Sequence, residues 1–176
     1  MRVPEGINNI AVFGATCVGK STVADELASL LGWEVRHCGE ILKEKADLAG
    51  TPVANLSLQD HKEVDGETLD LATRRTKLVM EGGFLDAVLI GRLEKTIFIR
   101  LSCAEKERQR RFESKHPAGT NTLQERDEQD AALRKRLYGD NPITDHAIID
   151  IETSATSPKQ TALELRNAVE RLHDLA

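Results

Sequence analysis

The chain has 176 residues, enough for one domain to bury an ordinary core without staples, and at 40% hydrophobic and 30% charged it reads as soluble and globular. Its 24 Lys plus Arg against 29 Asp plus Glu give a formal net charge of −5, which argues against a general nucleic-acid coat while leaving room for a local basic groove. Cys17, Cys38 and Cys103 show neither C-x-x-C nor Cys/His metal spacing, no apolar run reaches membrane length, and the N-terminus lacks a signal-peptide core; reduced thiols in a cytoplasmic protein are expected.

The first element is the apolar run "NIAVF" (9–13), a buried strand by length and composition. It feeds "GATCVGKS", which fits G-x-x-x-x-G-K-[ST] at Gly14, Gly19, Lys20 and Ser21. Gly14 permits the tight exit from the strand, and Gly19 lets backbone N–H groups approach phosphate oxygens unobstructed. A helix starting at Lys20 points its positive end at the same anion. The loop Gly14, Ala15, Thr16, Cys17, Val18, Gly19, Lys20, Ser21 and Thr22 is therefore the expected donor-phosphate site. Lys20 would bridge the outer phosphates of ATP, and the Ser21 hydroxyl would ligate Mg²⁺. Cys17 occupies a variable loop position and reads as structural.

"STVADELASLLG" (21–32) carries apolar residues on one helical face and stops at Gly32. Further strands are expected at "WEVR" (33–36), "KLVM" (77–80), "TIFIRL" (96–101) and "HAIIDI" (146–151). Helices are expected at 102–115, at 122–139 and at 157–175, the last with Ser157 as N-cap and Pro158 at its first position. Strands alternating with helices predict an α/β fold, a parallel sheet in three layers, within a single domain of residues 1–176.

A transferring phosphoryl group needs converging cations. Two clusters qualify: Arg108, Arg110 and Arg111 in one helix, and Arg126, Arg134, Lys135 and Arg136 in the next, with "SKHPAGTNT" (114–122) as a hinge between them. Arg111 and Arg126 are the first candidates. Glu81 ends the third strand on the edge where open α/β sheets bind ligands, so it could hold Mg²⁺ through water or orient an acceptor hydroxyl. Asp86, and Asp65 within "EVDGETLDLATRR" (63–75), are acceptor-side candidates, as is His37 beside the Gly39-Glu40 turn. The five histidines form no i, i+4 metal pair.

The absence of N-K-x-D argues against a GTPase, and the length leaves no room for helicase or AAA accessory modules. "GKSTVADELASLLGWEVRHCGEIL", "TIFIRLSCAEKERQRRF", "ERDEQDAALRKRLYG" and "DHAIIDIETSATSP" together resemble nucleoside monophosphate kinases, closest to the short archaeal-type cytidylate kinases. The resemblance implies a P-loop NTPase fold with five parallel strands in the order 2-3-1-4-5. It further implies an acceptor-binding segment at about 37–76 and a lid at about 114–140. It implies ATP and Mg²⁺ as cofactors and CMP or dCMP as acceptor. Arg108, Arg111 and Pro158 would lie against the donor; His37, Glu40, Asp65, Arg75, Gly83, Asp86, Arg126 and Arg134 would lie against the acceptor. One position departs from the pattern. Those kinases read E-G-R at the end of strand three, and the arginine contacts the acceptor's phosphate; here the triplet is Glu81-Gly82-Gly83. Arg74, Arg75 or Arg92 could substitute. Otherwise the acceptor lacks a free monophosphate, for example a small molecule's hydroxyl or 5-hydroxymethyluracil in phage DNA. A nucleotide-binding regulator without transfer is the third reading. No membrane partner is expected, and the protein reads as a monomer or homodimer.

Overall fold

The computed structural model describes residues 6–117, 121–140 and 148–173. The expected strand start at His146, residues 118–120 of the expected hinge and the end of the last expected helix lie outside the described residues. Five strands, β1 (Asn9–Phe13), β2 (Glu34–His37), β3 (Leu78–Glu81), β4 (Thr96–Ser102) and β5 (Ile148–Glu152), form one parallel sheet in the order β2-β3-β1-β4-β5. The helices are α1 (Lys20–Leu31), α2 (Cys38–Leu48), α3 (Leu58–Arg74), α4 (Leu85–Leu89), α5 (Glu105–Lys115), α6 (Leu123–Tyr138) and α7 (Pro158–His173), with a 3₁₀ turn at Val53–Asn55. The three-layer fold and strand order match the expectation.

Alternation along β1 divides the core. Ile10 and Val12 pack with Leu27 of α1 and Leu165 of α7, while Ala11 and Phe13 pack on the other face with Met80, Leu85 and Phe98. All five β1 residues are buried, as a central parallel strand covered on both faces requires. Two boundaries differ from the sequence reading. Trp33 stays with α1, its N–H donating to the Ala28 carbonyl behind the Gly32 cap, so β2 starts at Glu34. Ser102 remains in register with Glu152, so α5 starts at Glu105 rather than at 102.

α3 had no clear pattern signal, yet its start is chemically marked. Ser57 Oγ accepts from the Asp60 N–H at 3.2 Å, and Asp60 Oδ2 accepts from the Ser57 N–H at 2.9 Å, a reciprocal cap. Thr122 and Glu125 cap α6 in the same way. α3 buries His61, Val64, Thr68 and Ala72, a single helical stripe. Of α6 only Leu123 is buried, so this charged helix lies over the open edge of the molecule rather than on a core.

Asn9 ties the end of α3 to the sheet. Its Nδ2 donates to the carbonyls of Ala72 at 2.7 Å and Arg75 at 3.1 Å, and its Oδ1 accepts from the Leu78 N–H at 3.2 Å. Asn9 is 1% exposed, so water cannot replace these bonds. Asn9→Ala is expected to lower stability by roughly 1–3 kcal/mol. A lower urea midpoint at unchanged slope would show it, and an unchanged midpoint would refute it.

Candidate active site

The loop Gly14–Gly19 leaves the carboxyl end of β1, where parallel sheets bind ligands. A Cβ on Gly14 would lie 2.3 Å from the Leu101 carbonyl oxygen, and its φ of 142° belongs to the glycine region. Cys17 (φ 63°) and Gly19 (φ 95°) are also left-handed, so the chain curls around the space before α1. The Val18 side chain turns inward to the core, and its carbonyl accepts from Thr153 Oγ1 at 2.8 Å. Lys20 reaches back to the Ala15 carbonyl at 2.8 Å. Burial pulls the Lys20 pKa down, and the negative charges of Glu81 and Asp130 oppose that fall.

Beside the loop, Ser21 Oγ donates to Glu81 Oε1 at 3.2 Å. The same Glu81 oxygen lies 3.1 Å from His37 Nδ1, and His37 Nε2 lies 3.1 Å from Asp25 Oδ1. Two hard oxygen ligands adjoining a phosphate cradle fit Mg²⁺, which keeps most of its coordination for water and phosphate oxygens. Among the described residues no three His, Cys, Asp or Glu side chains gather into a metal cluster on their own.

The arginines converge as charge logic requires, and carboxylates already hold several of them. Arg108 donates to the Thr16 carbonyl at 2.9 Å and to both oxygens of Asp127 at 2.6 and 2.9 Å. Arg111 donates to Glu107 at 2.9 Å and to Thr153, with its Nη1 3.5 Å from the Cβ position of Gly19. Arg110 faces outward and pairs with Glu107. Hydrogen bonds from Arg110 and then Arg111 hold the Glu107 carboxyl at about 2. On α6, Arg126 pairs with Asp130, which also accepts from Thr16 Oγ1 at 3.1 Å. The α6 helix thus touches the phosphate loop.

A cleft of about 1210 Å³ runs from this loop to the space between α2, α3 and α6. That exceeds the roughly 300–1,000 Å³ of a single small-molecule pocket. Gly83 lines the cleft two residues beyond Glu81, and a Cβ there would meet nothing within 4 Å. Asp86, 8% exposed, takes both terminal nitrogens of Arg134 at 2.9 and 2.8 Å. Phe84 lies under that guanidinium and edge-on to Tyr138, whose hydroxyl donates to Asp65 Oδ2 at 2.7 Å. Cys38 is also in this wall; burial pushes its thiol up to about 12, so it is an inert apolar filler.

Some expected positions fall elsewhere. His37 and Glu40 line a shallow depression on the Ser21–Glu81 side rather than the acceptor end, because the His37 ring is drawn between two carboxylates. Arg75 pairs with Glu34 at 3.6 Å at the amino edge of the sheet, the end opposite the phosphate loop. Arg74 pairs with Asp70 on the surface, and Arg92 is exposed outside the cleft wall. Arg74 and Arg75 are thus held by partners away from the cleft, while the charge of Arg92 is felt at Asp65. Pro158 opens α7 outside the cleft wall, with Ser157 Oγ accepting from the Gln160 N–H. His61, Thr68, Phe84 and Tyr138 line the cleft and were not singled out from sequence. The Ser57–Asp60 capping pair is the signal that would have placed His61, Asp65 and Thr68 on one helical face.

A cytidylate kinase of Haloquadratum walsbyi is 29% identical over 168 residues, covering 90% of this chain and 87% of that protein. Among solved structures, a shikimate kinase from Acinetobacter baumannii in complex with shikimate superposes with a TM-score of 0.65 at 21% identity, covering 95% of each chain. A gluconokinase from Sinorhizobium meliloti gives 0.63 at 17% identity, covering 100% of this chain and 99% of that one. These structures share the fold of P-loop kinases with the present chain. Residues 10–133 match the family described as AAA domain, and with its Gly14–Ser21 phosphate loop the chain belongs to that family.

Proposed function

We propose that the protein is an ATP- and Mg²⁺-dependent kinase that moves the γ-phosphate onto a hydroxyl of an acceptor carrying no free monophosphate. The acceptor end of the cleft carries this reading. It offers Gly83 where a phosphate-binding arginine would stand, the carboxylates of Asp65 and Asp86, and one inner guanidinium, Arg134, already held by Asp86. Besides Lys20, the further cations of the wall, Lys43, Arg100, Lys115, Arg126 and Arg136, are exposed, with Arg100 paired to Asp150 and Arg126 to Asp130. A phosphate monoester placed here meets the part-buried carboxylate of Asp65, while the Arg134 fork is already engaged by Asp86 and offers no free bidentate donor. Kinases named for non-nucleotide acceptors are also represented among proteins of this fold.

In this reading the loop Gly14–Thr22 grips the donor and Lys20 neutralises its outer phosphates. Ser21 and Glu81 hold Mg²⁺, which spreads the charge of the β- and γ-phosphate oxygens. Arg108, Arg111 and Arg126 exchange their carboxylate partners for phosphoryl oxygens as α6 settles on the bound nucleotide. Catalysis is positioning and electrostatic stabilisation, with no covalent enzyme intermediate. A second reading, transfer to CMP or dCMP, is favoured by the identity to the Haloquadratum walsbyi enzyme.

Lys20→Ala should retain its fold by circular dichroism and lose transfer by on the order of 10²–10³-fold; retained transfer would remove the phosphate-loop assignment. Labelled ATP with Mg²⁺ offered to CMP, dCMP, shikimate, gluconate, uncharged nucleosides and hydroxymethylated DNA separates the acceptor readings. Label should move to an uncharged hydroxyl acceptor, free or within DNA. Preferential label on CMP or dCMP would establish the second reading. Gly83→Arg, which has open space for a side chain, should tighten CMP binding by about tenfold; unchanged CMP affinity would show that Gly83 is not the determinant.

A further inference from the structure

Beyond Leu58 at its first position, α3 lines the cleft with His61, Val64, Asp65 and Thr68. Their spacing of three and four places them on one helical stripe. His61 is 9% exposed, and among the described residues its imidazole has no hydrogen-bond partner. Burial lowers its pKa, so at neutral pH the ring is uncharged, with one N–H to donate and one bare nitrogen to accept. Asp65 spends one oxygen on the Tyr138 hydroxyl, and its other oxygen has no partner among the described residues. The Thr68 hydroxyl donates to the Val64 carbonyl at 2.8 Å and is already satisfied. Val53, Leu56 and Val64 supply apolar wall around these groups.

The His61 ring is largely covered while its nitrogens stay open to the cleft, so an occupant that displaces water there must supply their hydrogen bonds. Sites of this kind discriminate strongly, because a ligand that fails to pair with the ring leaves those bonds unmade. We propose that His61 is the specificity-determining residue of the acceptor end, and that the acceptor is an uncharged hydroxyl-bearing group that hydrogen-bonds to His61 and to the free oxygen of Asp65. This rests on the proposed function in one respect, the absence of a free monophosphate, and adds the residue that reads the acceptor. The same chemistry can come from a free small molecule or from a unit within a polynucleotide, for which exposed Lys43, Lys115 and Arg136 would meet the backbone.

The test compares wild type, His61→Gln, His61→Leu and Asp65→Asn. The probes are thymidine, 5-hydroxymethyl-2′-deoxyuridine, myo-inositol and a single-stranded oligonucleotide with one hydroxymethylated base. CMP serves as the anionic control. For the best uncharged probe, His61→Leu should raise acceptor KM about tenfold or more, with ATP KM unchanged. His61→Gln, which keeps a donor and an acceptor, should recover most of the loss, and Asp65→Asn should raise acceptor KM alone. A merely structural histidine would instead lower Tm and affect both ligands together. An unchanged acceptor KM in His61→Leu, with transfer to an uncharged probe intact, overturns this inference alone. Transfer by wild type to CMP only overturns the proposed function and the inference together. Where no probe takes label, the His61 ring resonances are followed with each probe beside a non-hydrolysable ATP analogue. Their movement supports the inference, and their stillness with every probe overturns it.

Discussion

The site depends on one constraint: β1 is buried on both faces, and its continuation must pass beneath the Leu101 carbonyl with no side chain in the way. A parallel strand in the middle of a sheet has no freedom to tilt, so the point where Gly14 leaves it is fixed to within a fraction of an ångström. The curl through Cys17 and Gly19 then sets where α1 starts, and α1 carries Lys20 and Ser21 to their places. Glu81 comes from the neighbouring strand in register with Val12, so its carboxylate meets Ser21 because of the sheet and not through a flexible loop. Geometry at the donor end is inherited from the rigid part of the molecule.

The lid is arranged on a different principle. α6 buries almost nothing apolar, so its position is determined by polar contacts to other elements: Asp127 on Arg108, Asp130 on Thr16, Arg134 on Asp86, and Tyr138 on Asp65. The Arg108 and Arg134 pairs are largely covered and so are screened less than surface pairs. Arginines gathered for a phosphate repel one another when no phosphate is there, and the lid carboxylates relieve that repulsion. In the proposed reading a polyanionic nucleotide would compete for the same guanidiniums, which would couple donor binding to the position of α6 through shared partners.

Most of the fold was legible because it obeys local rules. Five apolar runs with punctuating glycines lead to a parallel sheet, and "GATCVGKS" states its chemistry in eight residues. The acceptor end was harder to read. α3 is charged along much of its length, and its His61–Thr68 stripe shows only once the helix is known to start at the Ser57 cap. Arg75 illustrates the opposite failure. In the chain it stands next to the acceptor segment, yet helix α3 runs the length of the sheet and delivers its last residues to the wrong edge. Proximity in sequence misleads whenever a long helix intervenes, since each residue advances it by about 1.5 Å.

The acceptor end therefore poses a problem of charge rather than of shape. In the proposed reading Lys20 and the arginines of α5 and α6 gather positive charge at the donor end of the cleft, while at the other end Asp86 is neutralised by Arg134 and Asp65 has no cation in contact. An acceptor lying between them is oriented by that field, its reacting hydroxyl toward the cations and its polar edge toward α3. A second anion at the far end would run against the field, and a guanidinium at position 83 would be needed to reverse it. In the proposed reading the two adjacent glycines after Glu81 leave that reversal unmade, which would disfavour a phosphate monoester before any specific hydrogen bond is formed.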